Sequence, residues 1–115
     1  MKLYLGGACA AAVIGGFAFA HAANAPAAPA APARTVQIKM FKFQPRTLTV
    51  KAGTRVTWVN RDGDPHTVTS TKGHALHSQA LDTGKRYSVV LRKPGTYKYL
   101  CKIHPYMHGV VVVRK

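Results

Sequence analysis

The chain of 115 residues contains no glutamate and only three aspartates, Asp62, Asp64 and Asp82, each in a turn-like stretch. A pair of carboxylates poised as general acid and base is therefore missing. Neither a G-x-S-x-G elbow nor a phosphate-cradling glycine loop occurs, so the chain is not expected to be an enzyme. Cysteine is scarce too, with Cys9 and Cys101 alone. Seventeen Lys and Arg against the three Asp leave a net charge of +14. These bases are spread singly, with no basic run and no recognition-helix pattern, which argues against nucleic acid as a partner. No internal repeat is present.

The first residues read as an export signal over 1–22. Lys2 is a minimal positive start, Leu3 to Ala20 is apolar and rich in Ala and Gly, and Ala20-His21-Ala22 is a small-residue cleavage pattern. Ala18-Phe19-Ala20 is a second option for the cut. The apolar run approaches spanning length, but its glycines and the lack of a Leu/Ile/Val block favour cleavage over a lasting membrane anchor. Residues 23–33 are almost all Ala and Pro and carry no side chain large enough for a core, so they read as an extended tether. The remaining stretch, 34–115, suffices for one small domain. Export removes Cys9 and leaves Cys101 alone, so an internal disulfide is excluded and the leftover thiol needs a reason.

Turn signals recur at short intervals: Ala52-Gly53, Asp62-Gly63-Asp64-Pro65, Lys72-Gly73, Asp82-Thr83-Gly84, Lys93-Pro94-Gly95 and Gly109. Between them β-branched and aromatic residues alternate with polar ones. Val36, Ile38 and Met40 share one face, Leu48 and Val50 another, Val56 and Trp58 a third, and Tyr87, Val89 and Leu91 continue the pattern. Val110 to Val113 is a solid apolar run, and the one weak helical or irregular window is Gly73 to Leu81. The pattern predicts an all-β protein, a sandwich or barrel of short strands.

The most informative stretch is Cys101-Lys102-Ile103-His104-Pro105-Tyr106-Met107, where a thiol, an imidazole and a thioether stand three residues apart. A buried structural thiol would explain Cys101 by itself, but not its His and Met neighbours. Tyr97, Tyr99 and Cys101 share one strand face, so Cys101 points inward at the strand's end. Cys and His as strong ligands with Met as a weak axial one suit copper; a second imidazole completes the set, and His66 is the best candidate. Zinc would leave Met107 without a role. A site tolerable to both Cu(I) and Cu(II) rearranges little on one-electron transfer, which suits an electron carrier.

At these residues the chain resembles the blue copper proteins, the cupredoxins. Cys101 to Val112 looks like their ligand loop, in the short C-x-x-H-P-x-M form of the amicyanin type, and Asp64-Pro65-His66-Thr67-Val68 is similar to the segment holding the first His. The resemblance runs from about Val36 to Val113 and implies a Greek-key β-sandwich of about seven to eight strands. It also implies one type-1 copper held by His66, Cys101, His104 and Met107, and a His104 edge serving as the electron port. One departure stands out: many members carry Asn after the first His, where this chain has Thr67. The expected function is a periplasmic, monomeric electron shuttle. Its partners would be redox proteins with acidic docking faces, such as a dehydrogenase, a c-type cytochrome or a terminal reductase. The alternative is a periplasmic copper-binding or delivery protein, although such proteins offer exposed Met and His sites and only Met40 and Met107 lie beyond the leader. Pro105 and Tyr106 either pack the loop or form part of the port. His74 and His77 are expected to be solvated, and His108 to face solvent or a partner.

Overall fold

The computed structural model describes residues 32–115 together with Gly6, Gly15 and Gly16. The expected export signal at 1–22 and nearly all of the tether at 23–33 lie outside the described residues. The described residues form eight strands: β1 (Ala33–Lys39), β2 (Lys42–Gln44), β3 (Thr47–Lys51), β4 (Thr54–Asn60), β5 (Thr69–Ser70), β6 (Arg86–Leu91), β7 (Gly95–Leu100) and β8 (His108–Arg114). Strand β1 begins at Ala33, one residue before the expected domain start, because Ala33 already pairs with Arg55 and the Pro32 carbonyl accepts from Arg55 N.

The strands form two four-stranded sheets, in the orders β2-β1-β4-β6 and β3-β8-β7-β5. This is the all-β sandwich that the alternation predicts. Both sheets are mixed, since β1 runs parallel to β4 and β3 parallel to β8. The chain repeatedly changes sheets: β3 leaves the first, β4 returns to it, and β5 leaves again.

Side-chain alternation decides which faces meet. Val36, Ile38, Leu48, Val50, Val56 and Trp58 all point inward. The apolar run of β8 resolves into the same period, with Val111 and Val113 buried and Val110 and Val112 half-buried. At the centre Trp58 meets Tyr99 edge-on at 5.5 Å, and Phe43 meets Tyr99 at 4.7 Å. Such edge-to-face pairs add to the area each ring removes from water. The Gly73 to Leu81 window forms no helix; it is an irregular excursion whose Leu76 plugs into the core.

Met40 departs from the pattern. The period places it with Val36 and Ile38, yet it is 65% exposed. The strand has ended by then: Met40 and Phe41 have φ of 53° and 55° and form the tight turn into β2.

Candidate metal centre

The expected ligands come from two connections at one end of the sandwich. Cys101 directly follows β7 and Met107 directly precedes β8, whose pairing Leu100↔His108 closes the loop between them. Inside the loop Met107 N donates to the His104 carbonyl and Cys101 N to the Met107 carbonyl. Gly109 makes room at the loop's foot, since a Cβ there would lie 2.3 Å from the Tyr99 ring. His66 lies between β4 and β5, bridged to Leu81 through both backbone hydrogen bonds.

The fold brings three donors together. Cys101 Sγ lies 3.7 Å from His66 Nδ1 and 3.8 Å from His104 Nδ1. The donor atoms of these residues all fall within 4.8 Å of one another. A thiol has one hydrogen and cannot serve both nitrogens, and Thr67 N also donates to the same sulfur at 3.3 Å. A shared metal ion accounts for the geometry. Bonds of about 2.3 Å to sulfur and about 2.0 Å to nitrogen, opened to about 120°, set the two donors about 3.7 Å apart. Met107 is buried in the same loop, and a thioether is the weak axial ligand type of blue-copper sites.

Thr67 takes up the position where Asn is usual in the resemblance. Its hydroxyl accepts from Lys102 N at 2.8 Å and lies 3.0 Å from Thr69 Oγ1. The two ligand segments are thus tied by a Thr hydroxyl and by the Thr67 amide on sulfur.

The remaining expected residues fall elsewhere. His74, His77 and His108 are exposed and outside the cluster. His104 is half-buried, whereas His66 and Cys101 are fully buried. Beside His104 lies a groove of about 500 Å³. Its wall combines the apolar Met40, Phe41, Phe43 and Tyr106 with the basic Lys42 and Arg46.

Two residues near the site belong to no motif that the sequence displays. Asp62, a turn residue by its sequence, places Oδ2 2.8 Å from His66 Nε2. Burial pushes its carboxyl up, but the backbone N–H groups of Phe41 and Met40, together with His66, outweigh this and hold it below the ordinary 3.8. Phe41 sets its ring edge-to-face against both His66 (5.4 Å) and His104 (5.1 Å). The i, i+4 placement of Asp62 and His66 is the one available sequence signal; nothing local points to Phe41.

Comparison with known proteins agrees with this geometry. Residues 9–113 match the family described as Cupredoxin-like domain. The chain is 40% identical over 82 residues to amicyanin-alpha of Methylorubrum extorquens, covering 68% of this chain and 69% of that one. A solved structure of the Cu(I) form of an amicyanin variant superposes with a TM-score of 0.69 at 38% identity, over 74% of this chain and 85% of the other. A copper-containing nitrite reductase from Thermus scotoductus SA-01 gives 0.67 at 33% identity, over 73% of this chain but 22% of its own.

Proposed function

The chain belongs to the cupredoxin family, and from that premise we propose a periplasmic shuttle of single electrons between redox proteins, with copper held by His66, Cys101, His104 and Met107. It is a blue copper electron-transfer protein that binds one type-1 copper. The observation carrying the ligand assignment is the position of Cys101 Sγ at nearly equal distance from two imidazole Nδ1 atoms.

When bound, copper supplies the one-electron Cu(I)/Cu(II) couple. The residues do the rest. Cys101 would hold the metal as a thiolate, and the Thr67 amide directed at its sulfur would stabilise that charge. His66 is sealed in the interior. His104 is the one imidazole of the pair with an exposed edge, so a partner reaches the site there. With all four donors supplied by the protein, no position at the metal would be left open for substrate, and we read the chain as a carrier rather than an enzyme. The likeness to nitrite reductase extends over one part of that larger chain.

The charge of +14 suits acidic redox partners, and the groove beside His104 offers them an apolar floor with Lys42 and Arg46 at hand. Encounter rates with such a partner fall as salt rises. The expected outcome of adding Cu(II) to the metal-free protein is an intense visible thiolate-to-copper band and reversible redox, both lost in Cys101→Ser. A colourless protein ends this reading. Coloured protein that surrenders its metal rapidly to a chelator would instead mark copper delivery.

A further inference from the structure

One carboxylate in this molecule receives three hydrogen bonds from two distant parts of the chain. Met40 N donates to Asp62 Oδ1 at 2.6 Å, Phe41 N donates to Oδ2 at 2.9 Å, and His66 Nε2 lies 2.8 Å from Oδ2. The side chain of Asp62 is 10% exposed and that of His66 fully buried, so the contact between them is shielded from water.

Elementary chemistry attaches two consequences to this arrangement. An ionised carboxylate only accepts, so the His66 hydrogen sits on Nε2 and the Nδ1 lone pair is left facing Cys101 Sγ, 3.7 Å away. Outer carboxylates fix the tautomer and orientation of metal-binding imidazoles in this way. The second consequence concerns the turn. A two-residue hairpin loop with both φ values positive is ordinarily written Asn-Gly, because side chains resist that conformation. This chain places Met40 and Phe41 there, at φ 53° and 55°. Both amides of the turn end on Asp62, which offsets the steric cost, and the resulting geometry seats the Phe41 ring against both imidazoles.

We propose that Asp62 is a positioning residue for the metal centre, setting the His66 tautomer directly and holding the Met40–Phe41 turn that screens His66 and His104. The inference rests on the reading of these two imidazoles as ligands. Its own test needs no metal. In the metal-free, full-length protein at mildly alkaline pH, imidazole ¹⁵N shifts are expected to show His66 as the Nε2–H tautomer. Asp62→Ala, which removes the acceptor facing Nε2, is expected to mix or invert that tautomer and to weaken copper binding roughly 10- to 100-fold in chelator competition. Adding Met40→Gly to Asp62→Ala relieves one left-handed position and keeps Phe41. It is expected to restore the hairpin amide signals but not the tautomer.

An Nε2–H His66 that survives Asp62→Ala, with affinity changed by less than about twofold against that range, overturns the assignment. Recovery of the tautomer by Met40→Gly overturns the direct route. Should Asp62→Ala fail to fold, the wild type decides: an Nδ1–H His66 refutes the proposal. A wild-type chain that takes up no copper overturns the functional reading beneath it, whereas a normal copper site beside an unperturbed variant overturns Asp62 alone.

Discussion

The two segments that meet at the metal centre are held by backbone and side-chain bonds in different proportions. The Cys101–Met107 loop is braced by backbone: β7 and β8 pair at its foot, and two main-chain hydrogen bonds cross it. The segment from Asn60 to Thr69 belongs to a strand only at its two ends; main-chain bonds anchor it at Asn60, Arg61, His66 and Val68, and between them it leans on side chains. Asn60 Nδ2 reaches the carbonyls of Asp64 and Leu81, Asn60 Oδ1 accepts from Asp62 N, and Ser78 Oγ accepts from Val68 N. A backbone-braced loop tolerates changes in its side chains. A segment held by polar side chains is only as firm as each buried hydrogen bond, because an orphaned partner cannot return to water.

Asn60→Ala tests this contrast most severely. It leaves the Asp64 carbonyl and the Asp62 amide without partners at partly buried positions, takes one of two donors from the buried Leu81 carbonyl, and should cost roughly 4 kcal/mol in denaturant unfolding of the metal-free protein. Hydrogen exchange should quicken around His66 and stay slow at Cys101 and Met107; equal loss at both would break the contrast.

Gly109→Ala attacks the other side. The added methyl collides with the Tyr99 ring, so overpacking of about 3 kcal/mol is expected, with the loop's foot displaced. A neutral result would mean that β8 can shift freely, contrary to a braced loop.

Tyr99 also sharpens the comparison through pH. Burial raises its phenol to about 12, a shift partly offset by the neighbouring Trp58 indole, although neither Tyr99 Oη nor Trp58 Nε1 makes a hydrogen bond of good geometry. The unfolded chain ionises near 10, so the contribution is whole below that pH and is lost as pH rises toward 12. The full loss is about 2.8 kcal/mol at about 1.4 kcal/mol per unit. Tyr99→Phe should remove that limb from a plot of stability against pH.

Thr67→Ala should be smaller, about 1 kcal/mol for the lost acceptor of Lys102 N, with a shifted visible band where the two segments join. Smallest in stability is Tyr106→Lys. The residue is 69% exposed, so unfolding should change by less than about 0.5 kcal/mol. Electron exchange with a partner should nevertheless slow while the copper spectrum stays intact. A lost spectrum would make Tyr106 part of the loop's packing.

How much is legible in the sequence differs between the same two segments. The loop announces itself, since Cys101, His104 and Met107 sit three residues apart and the alternation around them implies strands. The His66 segment shows one imidazole among turn residues, and its support is invisible because Asn60 and Asp62 look like ordinary turn formers. Met40 misleads the pattern for a related reason. The period of two continues through it, but a carboxylate 22 positions away allows a sharp turn that no glycine advertises.

Strand periodicity, turn chemistry and ligand spacing are relations between near neighbours along the chain, and from them alone come the all-β class, the single domain and the donor types. Which imidazole nitrogen meets the sulfur, which face of Phe41 covers the site and which aspartate matters are relations across space. They exist only after two sheets have packed, because each needs a buried hydrogen bond or ring contact between elements that the polypeptide keeps apart.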